Sequence, residues 1–162
     1  MLQEIRAIEL VPGWSANHLS RLRKSAKRYV VDTALAATAL GQDLKSIASN
    51  GDLLGNVLDN FVLSQLRPEI VSPSSNLQAF HLRKESGRHE VDILIEVSGK
   101  GVLALEVNAT ASPGIADARH LVWLKNQLGE RFIAGAVMHT GPAPFLLESK
   151  VLALPIYTIW NQ

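Results

Sequence analysis

The stretch that most constrains the fold of this chain is HEVDILIEVSGKGVLALEVN, residues 89–108. Aliphatic residues alternate with others along both halves of it, which is the pattern of two β-strands that each bury one face. Between the halves lies SGKG, and glycine can adopt the positive φ angles that tight hairpin loops require. The stretch therefore predicts a β-hairpin with one aliphatic face and one face that carries Asp92, Glu106 and Asn108.

The length of the hairpin loop decides whether these three polar residues share a face. Facing residues of an antiparallel pair point to the same side of the sheet, so Asp92 faces Glu106 or Asn108 only across a loop with an odd number of residues. A two-residue loop would turn Asp92 away from both. We expect a three-residue loop with a bulge, formed by residues 98–100 or 99–101.

The composition excludes several classes of protein. The chain has 162 residues, of which 47% are hydrophobic, and this is enough for one well-packed core. Sixteen Lys and Arg against fifteen Asp and Glu leave a net charge of +1, so the overall charge does not predict nucleic-acid binding. Cysteine is absent, which rules out disulfides and thiolate nucleophiles. We find no signal peptide and no apolar run of membrane-spanning length, so we expect a soluble, cytoplasmic protein.

The chain divides into an N-terminal extension, residues 1–45, and a main domain, residues 46–162. The extension is expected to hold a strand or short helix within residues 2–12, a basic segment, a strand at 28–31 and a short helix that Asp32 caps and Gly41 ends.

Helical and strand patterns alternate in the main domain. We predict a helix over 52–66 that Arg67-Pro68 ends, because apolar residues recur there at helical spacing. Strands follow at 77–84 and, after a turn at 85–87, in the hairpin. The remaining predicted elements are a helix at 115–128 that Gly129 ends, a buried strand at 132–139, and a last strand pair at 145–147 and 152–160. The order helix, three strands, helix, strand predicts an α/β fold in which helices flank a mixed sheet.

A basic segment in the extension has two interpretations. It is either a solvated surface or a patch that contacts phosphates, since clustered Lys and Arg are typical of nucleic-acid binding. The residues concerned are Arg21, Arg23, Lys24, Lys27 and Arg28.

The polar face of the hairpin reads D-x13-E-x-N, from Asp92 through Glu106 to Asn108. Two carboxylates on neighbouring strands suit a hard divalent cation such as Mg²⁺, which can activate a water against a phosphodiester. Asp59, beside the apolar stripe of the first long helix, is either an ordinary residue on the flank of the helix or one that faces the hairpin. The alternative is that these acids are solvated residues at strand ends.

The histidines and tryptophans give weaker signals. His81, His89, His120 and His139 fall on separate predicted elements, and His89, just ahead of Asp92, is the best candidate among them for a ligand or base. The tryptophans are interpreted as core or interface residues. The sequence has no nucleophile elbow.

Five segments carry a resemblance to a known family. They are KSAKRYVVDTALAATALG (24–41), GDLLGNVLDNFVLSQL (51–66), GRHEVDILIE (87–96), LALEVNAT (103–110) and DARHLVWLKNQLGERFIAGAVMHTG (117–141). Together with the order of elements, they resemble the PD-(D/E)XK, or restriction-endonuclease-like, superfamily. The branch they resemble most is the C-terminal domain of unknown function that follows an AAA+ ATPase module in many prokaryotic proteins. The resemblance implies an αβββαβ core over residues 46–162 and a DNA nuclease that uses Mg²⁺ or Mn²⁺.

The resemblance also assigns site residues. Asp92 corresponds to the motif aspartate, Glu106 to the second acid and Asp59 to an acid that the first helix often offers, so these three are the expected metal ligands. Asp92, Glu106 and Asn108 are the expected catalytic positions, but Asn108 stands where the superfamily has a lysine. Asparagine supplies no positive charge, and Lys84 or Lys125 is a candidate to replace the lysine.

Two functional hypotheses follow from the resemblance. The first is a nuclease-fold domain with metal-dependent DNA binding and phosphodiester hydrolysis, weak or lost because of Asn108; if active, it is an endodeoxyribonuclease. The second is a non-catalytic interaction or assembly module of an AAA+ ATPase system. The sequence contains no P-loop, G-x-x-x-x-G-K-[ST], so any ATPase is expected to be a separate partner, and a homodimer is also considered.

Overall fold

The computed structural model describes residues 7–72, 74–84 and 87–160. The strands are β1 (Ile8–Val11), β2 (Lys27–Val30), β3 (Leu77–Lys84), β4 (His89–Val97), β5 (Gly101–Val107), β6 (Phe132–His139), β7 (Phe145–Glu148) and β8 (Val151–Pro155). The α-helices are α1 (His18–Arg21), α2 (Thr33–Ala39), α3 (Leu44–Ser49), α4 (Gly51–Val71) and α5 (Arg119–Leu128). Short 3-10 helices span Gly129–Arg131 and Ile156–Trp160.

A six-stranded mixed sheet in the order β3-β4-β5-β6-β8-β7 forms the centre of the fold. The first three strands are an antiparallel meander, β5, β6 and β8 are parallel neighbours, and β7 is an antiparallel edge. Strand β6 is almost entirely buried, as expected for a strand with parallel neighbours on both sides. The predicted fold class, an α/β protein with helices flanking a mixed sheet, is confirmed, as is the order α4-β3-β4-β5-α5-β6.

Each face of the sheet is covered by a hydrophobic core. Leu121 and Leu124 of α5 pack on one face with a cluster that includes Phe132. Val62 and Leu63 of α4 pack on the other face with residues of β4, β5 and β6. The cores bury the two alternating sets of side chains of the hairpin strands, so the sheet has no solvated face over its centre.

The N-terminal segment is docked on the main sheet through both cores. Strands β1 and β2 form a separate antiparallel ribbon, whose Tyr29 lies in the core beneath α4. Trp14, just beyond β1, lies in the core beneath α5. Its backbone N–H donates a hydrogen bond to the backbone carbonyl of His81 on β3 at 2.7 Å. Asp32 caps α2, as predicted, by accepting hydrogen bonds from the N–H groups of residues 34 and 35. The boundary between residues 45 and 46 stays a prediction.

The hairpin has the predicted register. Ile93 pairs with Leu105 and Val97 with Gly101, so the loop is residues 98–100, and the described pairs end one position before Asp92 and Glu106. The pairing from Ile93 to Val97 runs without a shift, so the expected bulge lies outside it. Gly101 has φ 146°, and a Cβ there would lie 2.2 Å from the carbonyl oxygen of Arg131. Only glycine fits at this position.

Two predicted helix boundaries are wrong. Helix α4 does not end at Arg67-Pro68 but continues to Val71 with Pro68 inside it. Proline removes one backbone hydrogen bond, but Leu66 and Ile70 pack against the core on either side of it and keep the last turn helical. Helix α5 begins at Arg119 rather than at residue 115, because residues 115–118 form consecutive turns.

The C-terminal strand is shorter than predicted. It ends at Pro155, and the next five residues form a 3-10 helix instead of continuing the strand. Residues 85 and 86 of the predicted turn before the hairpin lie outside the described residues. No helix in the described part of the chain is long and apolar enough to cross a membrane.

Candidate functional site

Asp92 is fixed where β4 and β5 reach the end of their pairing. Its Oδ2 accepts a hydrogen bond from the N–H of Val107 at 3.0 Å, and its backbone carbonyl accepts one from the Tyr29 hydroxyl at 3.3 Å. The carboxylate is therefore bound to the neighbouring strand and is backed by the N-terminal ribbon. One further oxygen, Oδ1, points to the groove described below.

Glu106 lies against Asp92 on the side of the sheet that α5 covers, since Val102 and Ala104, two and four residues earlier, belong to that core. Burial raises the pKa of Glu106 to about 9, and the nearby charges of Asp92 and Glu90 raise it further. Glu106 is therefore neutral at pH 7. Its Oε1 is buried and has no hydrogen-bond partner within the described residues.

Asp59 extends from α4 into the same region and is only 6% exposed. Both of its oxygens lie 3.2 Å from the Tyr29 hydroxyl, and Oδ2 lies 2.5 Å from the Lys27 ammonium. Burial and the charge of Asp92 raise the pKa of Asp59 to about 6, although Lys27 and Tyr29 act to lower it. The contact with the Lys27 ammonium favours the ionised form of this carboxyl group.

Lys27 joins the two aspartates. Its Nζ is 2.5 Å from Asp59 Oδ2 and 3.5 Å from Asp92 Oδ1, and it lies 5.1 Å from the centre of the Tyr29 ring. Burial acts to lower the pKa of Lys27, but Asp59, Tyr29 and Asp92 together outweigh it and hold the pKa above the usual value. The side chain is charged, and with 30% of its surface exposed it remains open to the groove.

Lys27, Asp59 and Asp92 line an open groove of about 550 Å³, whereas Glu106 and Tyr29 are not among its described lining residues. Helix α4 contributes Asp59 and its first turns, where Gly51 and Gly55 leave the helix surface uncovered. The described residues that line the groove are Lys27, Gly51, Asp52, Gly55, Asn56, Asp59, Glu90, Asp92 and Val107. Four carboxyl groups and one ammonium make it an acidic site.

Asn108 does not contribute to this groove. Its Nδ2 donates to Asp117 Oδ1 at 2.9 Å, and its Oδ1 accepts from the N–H of Thr110 at 3.0 Å. The side chain thus organises the loop between β5 and α5. It is not among the described residues that line the groove.

The comparison with protein families places the chain in one family. A family model described as "Domain of unknown function (DUF4143)" matches residues 54–159, which cover α4 and the entire central sheet. The chain belongs to this family. It is 29% identical over 154 residues to uncharacterized protein Rv2008c of Mycobacterium tuberculosis and to uncharacterized protein Mb2031c of Mycobacterium bovis. Each match covers 95% of this chain and 33% of the relative, so the DUF4143 chain spans about a third of the length of these relatives. No solved structure matches the chain.

The lysines expected to replace the motif lysine lie elsewhere in this DUF4143 chain. Lys84 lies over the ring of Trp123 at 5.5 Å, and Lys125 binds Glu148 and the carbonyl of Ser149. Both face the α5 side, and neither is among the described residues that line the groove. Lys27 is the one cation among those residues.

Part of the basic segment of this DUF4143 chain makes intramolecular ion pairs and hydrogen bonds. Arg21 makes two hydrogen bonds to the Glu96 carboxylate, at 2.6 and 2.9 Å, and Lys24 donates to the carbonyl of Arg83. Lys27 binds Asp59 and Asp92, as described above. Arg23 and Arg28 are exposed.

The histidines divide into two groups. His81 contacts the carbonyl of Ser25, and His139 accepts the N–H of Gly141, so both have structural partners. His89 stacks on Trp123 with 4.0 Å between ring centres and meets His120 edge to face at 6.0 Å. His89 therefore packs against α5 beside Glu90 and is not a lining residue of the groove.

Sequence reasoning did not assign Lys27 and Tyr29 to the site. The available signal was the K-x-Y spacing on β2, which puts two polar-headed side chains on one face of a strand. That spacing does not indicate which part of the fold this face of the strand contacts.

The described residues contain no group of three or more His, Cys, Asp or Glu side chains arranged to hold a metal ion.

Proposed function

We propose that the acidic groove binds a divalent cation, Mg²⁺ or Mn²⁺, and that the protein is a PD-(D/E)XK-type nuclease fold that binds DNA and hydrolyses its phosphodiester bonds. The observation that carries the proposal is the convergence of Asp59 and Asp92, from a helix and a strand, on one ammonium. Glu106, from the next strand, lies against Asp92. The Lys27 ammonium therefore lies between two carboxylates, where a bound metal cation would also be attracted.

The donor set is consistent with a hard divalent ion. Asp59 and Asp92 of the groove, and Glu106 beside it, offer only carboxylate oxygens, the ligands that Mg²⁺ prefers, and Glu106 Oε1 is buried with no hydrogen-bond partner among the described residues. When bound, such an ion would lower the pKa of a water and stabilise charge on a phosphate. Binding requires that Lys27 leaves Asp59 and that Glu106 loses its proton, because the described groove has no ready-made triad of ligands.

DNA is the proposed partner because the groove is open and the segment that supplies Lys27 to it also carries exposed cations. Arg23 and Arg28 are exposed on the segment that leads into and through β2, and Lys27 belongs to the same strand. Contacts from such residues to phosphates would position a strand of DNA across the acids. A role on DNA implies a cytoplasmic protein, which acts alone, as a homodimer or with a separate AAA+ ATPase.

A second candidate function is a non-catalytic interaction module of an AAA+ ATPase system. The neutral state of Glu106 and the pairing of Lys27 with both aspartates favour it, because an ammonium already occupies the place between the two carboxylates without a metal ion. In that case the acids and Lys27 tie the N-terminal ribbon to the sheet, and the function lies on another surface.

Plasmid nicking and thermal melting separate these candidates. We expect Mn²⁺ to raise the melting temperature of the wild type and to support conversion of supercoiled plasmid to the nicked form. Asp92→Asn should lose both effects, since it removes a ligand charge. The matched control is Glu69→Gln, which changes an exposed acid near the other end of α4. This control should behave like the wild type.

Two outcomes would count against the proposed nuclease. Equal nicking by the wild type and Asp92→Asn would assign the activity to a contaminant. The absence of any Mn²⁺-dependent shift in the melting temperature would reject the metal site and favour the interaction module.

A further inference from the structure

Neither the family nor the position of Lys27 in the sequence assigns it a role in the groove. Its ammonium lies between Asp59 and Asp92, and among the described lining residues it is the one positive charge. Tyr29, two residues later on β2, holds Asp59 through its hydroxyl. Asp59 therefore keeps a hydrogen-bond partner if the ammonium moves away.

The attachment of Lys27 allows such a movement. The side chain starts from β2, a strand of the docked ribbon, and reaches the aspartates through four flexible carbons. It is partly exposed, and the groove in front of it is open. The ammonium can turn from Asp59 into the groove by rotation about side-chain bonds, without a change in the backbone.

We propose that Lys27 is the catalytic cation of this groove: it contacts the scissile phosphate of DNA from β2, at the place where Asn108 has no charge to offer. The assignment rests on the proposed nuclease function. Asn108 is held by Asp117 and Thr110, carries no charge and does not line the described groove, so the ammonium must come from another residue. Lys84 and Lys125 are held on the α5 side, which leaves Lys27.

In the reaction, the oxygen of a water forms a bond to phosphorus, and the bond between phosphorus and one sugar oxygen breaks. One proton of the water ends on the released sugar hydroxyl, and the other is taken up by the phosphate monoester or the solvent. Lys27 keeps its three protons throughout. Its part is to donate hydrogen bonds to a non-bridging oxygen, where negative charge increases in the transition state.

The test compares Lys27→Met, Lys27→Gln and Lys100→Met in the full chain. Lys100 lies exposed in the hairpin loop at the opposite end of β4 and β5, so its variant is the matched control. The probes are Mn²⁺ alone, read by the shift in melting temperature, and supercoiled plasmid with Mn²⁺. Lys27→Gln can still bond to Asp59, so it guards against a Met variant that fails to fold.

We expect both Lys27 variants to respond to Mn²⁺ at the same or lower concentration than the wild type, because a competing ammonium is gone. Their nicking rate should fall by at least about tenfold, as when a transition-state donor is removed. Lys100→Met should match the wild type in both measurements. Retained metal binding with lost nicking is the signature that a merely structural lysine would not give.

Each other outcome overturns the assignment in a recognisable way. Wild-type nicking by the Lys27 variants, with nicking still lost in Asp92→Asn, would reject Lys27 and leave the proposed function standing. Folded Lys27 variants that no longer respond to Mn²⁺ would make Lys27 a structural residue. A wild type that binds Mn²⁺ without nicking would reject Lys27 as a catalytic cation, whereas a wild type that does not respond to Mn²⁺ would reject the proposed function itself.

Discussion

At the scale of single residues, burial makes the stability of the site depend on which of its carboxyl groups are protonated. Asp59 and Asp92 are paired with Lys27, and Glu106 avoids a third negative charge by keeping its proton. An ionised carboxylate at the position of Glu106 would be buried beside the negative charge of Asp92, and the attraction of Arg119 does not outweigh these two costs. The protonation of Glu106 therefore affects the stability of the fold.

Glu106→Gln tests this dependence on pH. The pKa of Glu106 rises from 4.5 to about 9 on folding, so between these values the folded protein binds more protons than the unfolded chain. Stability is then lost as the pH rises, by at most about 1.4 kcal/mol per pH unit. In the presence of a chelator, the melting temperature of the wild type should fall more steeply between pH 6 and 8.5 than that of Glu106→Gln. Equal slopes would show that Glu106 is ionised in the folded protein.

Tyr29→Phe tests the support of Asp59. The variant removes a hydroxyl that contacts both oxygens of Asp59 and the carbonyl of Asp92, and it leaves buried acceptors with fewer donors. We expect a loss of about 1–3 kcal/mol in the free energy of unfolding, measured with urea. The control is Tyr157→Phe, since Tyr157 is 44% exposed and its hydroxyl binds only the Pro142 carbonyl among the contacts described. If Tyr29→Phe lowers the free energy of unfolding no more than Tyr157→Phe does, the Tyr29 hydroxyl does not stabilise Asp59.

At the scale of elements, the hairpin was predictable because its pattern is local. The alternation from residue 89 to residue 108 determines the strands, and the requirement that Asp92 and Glu106 share a face determines an odd loop. The end of α4 was not predictable in this way. Pro68 is a local signal to stop, but packing of Ile70 on the core keeps the helix intact, and packing is not visible in the local sequence.

Gly101→Ala tests the close approach that fixes the hairpin. An alanine Cβ would meet the Arg131 carbonyl oxygen at 2.2 Å in a backbone conformation that side chains rarely adopt, so the cost should be about 3 kcal/mol or more. Gly99→Ala, two residues earlier, has φ 72° with nothing within 4 Å of the added atom. Its cost should be about 1 kcal/mol. Chemical denaturation measures both, and similar costs would contradict the close contact.

At the scale of the whole molecule, the groove is made by elements that are far apart in sequence. Lys27 comes from the ribbon, Asp59 from α4 and Asp92 from the hairpin, while Tyr29 and Glu106 support these residues from behind. The sequence suggested the three acids because a resemblance and a strand register connect them. Lys27 was interpreted only as part of a basic segment, because the docking of the ribbon depends on contacts such as the one between Trp14 and His81. No local pattern indicates that β2 faces α4.

The central claim is that the acids of this groove bind one divalent cation. Direct counting of bound Mn²⁺ tests it, by titrating the protein with Mn²⁺ at pH 7.5 and following the electron paramagnetic resonance signal of the free ion. The account predicts one bound Mn²⁺ per chain in the wild type and in Glu69→Gln, and a loss of that binding in Asp92→Asn. Equal binding by the wild type and Asp92→Asn, or no binding by the wild type, would contradict it.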